Sequence, residues 1–169
     1  MKKFYLFLTL FMAVCFCPGV LFATDNAIVL GGVASTGQLR INVNAGGNYC
    51  VYRYFNSNWY KQFYATNSHL FAIKIGSTTF ASGGTTMPSA GSITSGSVTA
   101  FTTIADVASS ISGTAHYMTK KFTGSYSGYS FSVTITIRYN TSSMDYLVKE
   151  AVLDMSNIPS GTAISFAYG

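Results

Sequence analysis

From Ser130 to Tyr139 the chain alternates without exception between polar and apolar side chains. Phe131, Val133, Ile135, Ile137 and Tyr139 fall on one face, and Ser130, Ser132, Thr134, Thr136 and Arg138 on the other. A period of two belongs to an extended strand, because a helix would scatter those apolar residues around its surface. The Ser/Thr face also says how the sheet meets water: one side packs and the other is wetted without much charge.

Shorter segments repeat the pattern. Ala27 to Leu30 is an apolar run closed by Gly31-Gly32. Gln38 to Asn44 alternates polar and apolar, Ala45-Gly46-Gly47-Asn48 reads as a hairpin turn, and Tyr49 to Phe55 is aromatic-rich. Asn56-Ser57-Asn58 then turns the chain into Trp59 to Tyr64, which predicts a three-strand meander from Gln38 to Tyr64. Further strands are expected at His69–Ile75, Thr114–Phe122 and Ala163–Tyr168. Residues 82–99 are dominated by Ser, Gly and Thr, carry no charge, and are expected to hold short strands around Ile93 and Val98–Phe101. Met144 to Met155 fits helical spacing and also fits a strand with Leu147, Ala151, Leu153 and Met155 on one side. After a long strand and a short polar turn, an antiparallel partner strand is the preferred reading.

About eight to ten short strands with frequent turns predict an all-β fold, an antiparallel β-sandwich. A closed barrel is the alternative. A transmembrane barrel fits less well, since it needs strands of ~10 residues with an apolar outer band, and the Gly/Ser/Thr segment interrupts any such series. The 169 residues suffice for one domain with a real core. With 49% hydrophobic, 15% aromatic and 9% charged residues, disorder and coiled coil are both excluded.

The first 23 residues read as a signal peptide: Lys2 and Lys3, an apolar run from Phe4 to Cys17, then Pro18-Gly19 and a small residue at Ala23. The apolar run is short for a spanning helix of ~20 residues, so cleavage is expected, leaving residues 24–169 as a single sandwich domain without an integral membrane span. The location expected is secreted, periplasmic or cell-surface. The mature chain keeps eight basic and five acidic residues. Its basic residues do not cluster, so nucleic acid is not an expected partner. Cys50 alone survives cleavage and is read as a small buried hydrophobe. The chain stops at Gly169 without a polar tail, which raises the idea of a module from something longer.

Catalytic chemistry finds little footing. On a strand Glu150 and Asp154 share a face but stand about 13 Å apart, too far for a retaining carboxylate pair. His69 and His116 are the only histidines, and no zinc spacing or nucleophile elbow occurs; Gly124-Ser125-Tyr126-Ser127-Gly128 carries Tyr126 where the nucleophile belongs. A serine triad assembled in space with a histidine and Asp106 stays open. No metal, no cofactor and no catalytic residue are expected.

What the chain has in abundance is aromatic surface. Tyr49, Tyr52, Tyr54, Phe55, Trp59, Tyr60, Phe63 and Tyr64 place eight aromatics within 16 residues, and alternation sends some of them outward. Most such rings fill cores and cross-strand pairs, but exposed Tyr and Trp stack on sugars or anchor interfaces. Trp59, beside a turn, is the first ligand-binding candidate, with Tyr60, Tyr126 and Tyr129 beside it. The expected function is a non-catalytic binding or adhesion module whose partner is a carbohydrate or a cell-surface protein. The alternatives are a packing subunit of a larger exported assembly and a secreted hydrolase using His69 or His116.

Overall fold

The structure, a computed structural model, describes residues 28–62, 68–83, 98–142 and 146–168. The expected signal peptide, Asp25, Phe63, Tyr64, Ile93, Met144, Asp145 and Gly169 lie outside the described residues. The strands in chain order are β1 (Ile28–Gly31), β2 (Leu39–Val43), β3 (Asn48–Phe55), β4 (Asn58–Lys61), β5 (Ser68–His69), β6 (Phe71–Ile75) and β7 (Thr78–Ala81). They continue with β8 (Val98–Thr99), β9 (Thr103–Ser110), β10 (Ala115–Tyr126), β11 (Tyr129–Asn140), β12 (Val148–Asp154) and β13 (Ile164–Tyr168). The described residues contain no helix.

Three sheets result. The first runs β1-β2-β3-β4 with β5 also on β3, the second β13-β6-β7-β8, and the third β12-β11-β10-β9. Every pairing is antiparallel except β7 with β8. Leu70 alone separates β5 from β6, so the chain passes from the first sheet to the second through a one-residue corner. The third sheet covers both. Its Phe122 and Phe131 meet Phe71 and Phe80 of the second sheet at ring-centroid distances of 4.8 and 4.9 Å. Its His116 Nδ1 accepts the Gly31 N–H of the first sheet at 2.9 Å. The architecture is the expected β-sandwich.

The alternating segment behaves as its period requires. Phe131, Val133, Ile135, Ile137 and Tyr139 are all buried, while Thr136 on the other face meets Thr119 hydroxyl to hydroxyl at 3.1 Å. The segment open to either helix or strand is a strand, β12, paired antiparallel with β11 so that Ile135 faces Ala151. Leu147, Ala151 and Met155 pack on the core, which a strand achieves with one row of side chains. Strands β7 and β9 were not expected. In β9 the sequence Thr103-Ile104-Ala105-Asp106-Val107-Ala108-Ser109-Ser110 has no clean alternation, because a bulge interrupts its pairing with β10.

That bulge has a chemical consequence. Thr119 faces Ala108, but the next residue, Lys120, faces Asp106; the register skips Val107, which is pushed into solvent. A bulge of this kind re-aims a side chain. Here it sets the Asp106 carboxylate against an ammonium that lies in the core row Met118, Lys120, Phe122 and is only 2% exposed. The ammonium also donates to the Ala45 carbonyl of the β2–β3 turn at 3.2 Å.

The same turn meets every sheet. Asn48 N–H donates to Asn44 Oδ1 at 2.8 Å, and Gly47 N–H to the Asn44 carbonyl at 3.1 Å. Gly83 N–H donates to the Gly46 carbonyl at 2.6 Å, and Leu70 N–H is shared between the Gly47 carbonyl and Ser82 Oγ. Gly47 has a φ of 87°, and a Cβ there would stand 2.7 Å from the Phe122 ring. Only glycine satisfies both conditions.

Asp106→Ala would leave the Lys120 ammonium buried beside one carbonyl. Asp106 is half-exposed, which tempers the full cost of a broken buried pair, so the expected loss is about 2 kcal/mol in urea unfolding. Adding Lys120→Met is expected to recover most of it, because the stranded charge disappears with its cost. A double variant no more stable than Asp106→Ala alone would contradict this account.

Candidate functional site

The β2–β3 turn also determines which side chains stand side by side on the outer face of the first sheet. Arg40 and Tyr52, each six residues from Gly46, are directly opposed, and Tyr52 is opposed on its other side by Lys61. Tyr54 is opposed by Trp59. Residues opposed in this way share a face. The outer face therefore carries a row Arg40–Tyr52–Lys61 and, beside it, a row Tyr54–Trp59. Tyr49 and Val51, in the other parity, are buried.

The side chains interlock. Tyr54 and Trp59 meet edge to face at 5.1 Å between centroids. The Arg40 guanidinium lies 4.5 Å from the Tyr52 ring centre and 4.9 Å from that of Trp59, a cation held by two aromatic faces. Burial, with the Cys50 thiol alongside, pushes the Tyr52 hydroxyl above its usual value, so it remains a neutral hydrogen-bonding group at physiological pH. Cys50 is buried.

Strand β3 also runs past its neighbour. Its last partner in β2 is Leu39, opposite Arg53, so Phe55 and the turn stand out as a two-strand ribbon. Asn56 and Ser57 both take positive φ, 46° and 61°, the backbone of a type I′ hairpin in which Asn is well tolerated. On the other side of this ribbon Phe55 and Tyr60 form a tilted pair 6.5 Å apart and are 62% and 47% exposed. The ribbon thus presents aromatic rings on both faces.

The four sequence candidates are divided between two places. Trp59 and Tyr60 belong to this ribbon, on opposite faces. Tyr126 and Tyr129 face each other at the β10–β11 turn. Tyr129 is exposed, whereas Tyr126 is half-buried and packs on the core. The two places are far apart. Tyr139 Oη donates to Gln38 Oε1 at 2.8 Å, and the Gln38 carbonyl accepts from Tyr54 N–H, which puts Tyr139 at the Trp59 end. Tyr129 is ten residues back along the same strand, about 33 Å away. No single ligand-sized site includes both pairs.

The titratable groups are engaged elsewhere. His116 accepts from Gly31 at Nδ1, which leaves Nε2–H to donate to the Gly113 carbonyl 3.2 Å away. Asp106 pairs with Lys120, Glu150 with Arg138 at 3.5 Å, and Asp154 is held by Ser156. The Ser156 hydroxyl and its N–H keep the Asp154 carboxyl below its usual value. Among the described residues no three His, Cys, Asp or Glu side chains gather to hold a metal.

Arg40 was not singled out in the sequence as a site residue, though its place in the polar row of β2 was visible. Lys149 was also unremarked. It occupies the apolar row of β12 and reaches into the junction of the three sheets, 4.6 Å from the Tyr49 ring centre and 5.0 Å from that of Tyr168. It donates to Tyr49 Oη at 3.3 Å. Burial lowers its pKa to about 8. Comparison with protein-family models, curated protein sequences and solved structures found no match.

The lowered Lys149 value carries a sign. Between about 8 and the ordinary lysine value of 10.5 the unfolded chain holds a proton that the folded one has released, so stability contributed at this site rises with pH. Below about 8 both states are protonated and the cost of the buried ammonium is present in full. Lys149→Met removes that cost. Its stabilising advantage over the natural chain is expected to be largest near neutral pH and to shrink toward pH 10, read as the difference in Tm between the two proteins across the range.

Proposed function

We propose that the protein is a non-catalytic binding module, exported through its amino-terminal segment, whose contact organ is the β3–β4 ribbon and whose ligand is a carbohydrate. One observation carries this reading: the β3–β4 hairpin, whose tip projects beyond the sheet, carries Tyr54 and Trp59 on one face next to the ring-held Arg40 of β2, and exposed Phe55 and Tyr60 on the other. Aromatic rings give a sugar's C–H face a large flat contact, and tyrosine hydroxyls add polar tips. The engagement of the described carboxylates and of His116 in structural contacts supports binding over hydrolysis.

A second reading, a packing subunit of a larger exported assembly, has its own observation. Strand β9 forms one edge of the third sheet, is open along most of its length, and exposes Val107, with Ile111 just beyond it. An exposed apolar edge is a template for pairing with another chain. Size-exclusion chromatography separates the readings, since a monodisperse monomer speaks against self-assembly.

For the favoured reading, a polysaccharide screen of the protein and its Trp59→Ala and Tyr60→Ala variants is decisive. The natural chain is expected to bind at least one glycan class, and Trp59→Ala to lose about tenfold of that affinity, which corresponds to a ring contact of about 1.4 kcal/mol. Tyr129→Ala, about 30 Å away along the sandwich, is expected to leave binding unchanged. Absence of glycan binding by the natural chain sinks the carbohydrate assignment.

A further inference from the structure

The acidic side chains among the described residues are confined to one sheet. All three described carboxylates, Asp106, Glu150 and Asp154, lie in β9 and β12 of the third sheet. The first sheet carries Arg40, Arg53 and Lys61 and no acid. The ion pairs among the described residues, Lys120–Asp106 and Arg138–Glu150, both fall within the third sheet. The aromatic ribbon is therefore cationic, and no described carboxylate pairs with its charges.

The geometry points to a carboxylated polysaccharide, one built from uronic acids, as the ligand of this face, an inference that rests on the carbohydrate reading above. Arg40 and Lys61 flank Tyr52 across three adjacent strands, so their backbones stand about 10 Å apart with an aromatic ring between them. The Arg40 guanidinium is clamped between the Tyr52 and Trp59 rings, and its Nε is shielded from water with no hydrogen-bond partner. The donors that remain to it are its terminal amino groups, a planar fork that fits a planar carboxylate with two parallel hydrogen bonds. A guanidinium already held by rings loses little freedom on binding. Trp59 and Tyr54 beside it offer the ring surface for the sugar body, and Lys61 supplies a second charge for a neighbouring acidic unit. A single-stranded nucleic acid would ask for more cations along its phosphates than the two on this face.

Titration calorimetry with polygalacturonate, a neutral galactan, dextran sulfate and oligothymidylate tests the inference. Polygalacturonate is expected to bind at least about tenfold more tightly than the neutral polymer, and the advantage to fall as salt is raised. Arg40→Gln and Lys61→Gln are each expected to lose about tenfold on polygalacturonate, a larger loss than either shows on the neutral polymer. Lys61 is exposed, so its variant keeps the test valid even if Arg40→Gln unfolds, which a thermal melt reports. Equal binding of neutral and acidic polymers, insensitive to Lys61→Gln, overturns the acidic-ligand inference and leaves the binding-module reading standing. Preference for dextran sulfate, which has no carboxylate, or for oligothymidylate over polygalacturonate also overturns it. Failure to bind any polymer removes both readings.

Discussion

A glycine-rich turn holds this sandwich in register. The backbone of Asn44–Asn48 is bonded by its own side chains and then used by every sheet: Gly83 and Leu70 bond to it from the second, and Lys120 from the third. Phe122 packs against Gly47 so closely that no side chain fits there. The carbonyls of Ala45, Gly46 and Gly47 each accept from an element distant in sequence. Whatever displaces the turn displaces the contacts among three sheets at once. It also shifts the pairing of β2 with β3, on which the outer face depends.

The buried lysine belongs to this constraint. Desolvating an ammonium is costly, and its hydrogen bonds have to offset that cost. The bulge in β9 delivers Asp106 to it, and the turn delivers a carbonyl. On the opposite edge of the third sheet, Lys149 solves a similar problem with the rings of Tyr49 and Tyr168 and the Tyr49 hydroxyl. Two lysines thus reach from the third sheet into the first, one through hydrogen bonds and an ion pair, the other through ring faces. The domain has a free, buried cysteine and no disulfide among its described residues, so contacts of this kind and the ring cluster Phe71–Phe122–Phe101–Phe131 hold the layers together.

Much of the fold was legible from side-chain order. The period of two in β11 appeared as expected, as did the meander as far as β4 and, within the Met144–Met155 segment, a partner strand at Val148–Asp154. Strands β7 and β9 did not announce themselves, the first because it is short and the second because its bulge breaks the alternation that would have marked it. The aromatic ribbon was visible as a dense run of rings, and Trp59 as a residue near a turn. The separation of Tyr126 and Tyr129 from it was not, since two hairpins in different sheets look equally prominent in a linear chain.

The local order of side chains by itself determined that this is an all-β chain, that the outward row of β11 is Ser/Thr-rich, and that a dense run of rings falls around the β3–β4 hairpin. These follow from a period of two and from turn chemistry, which act over a few residues. Only the tertiary structure decided which rings face outward together, that Arg40 is gripped by two of them, and that Lys120 and Lys149 are not surface charges. Each of these depends on cross-strand register and on how one sheet lies over another. Partners there stand up to a hundred residues apart, as Lys149 and Tyr49 do, and no local pattern encodes them.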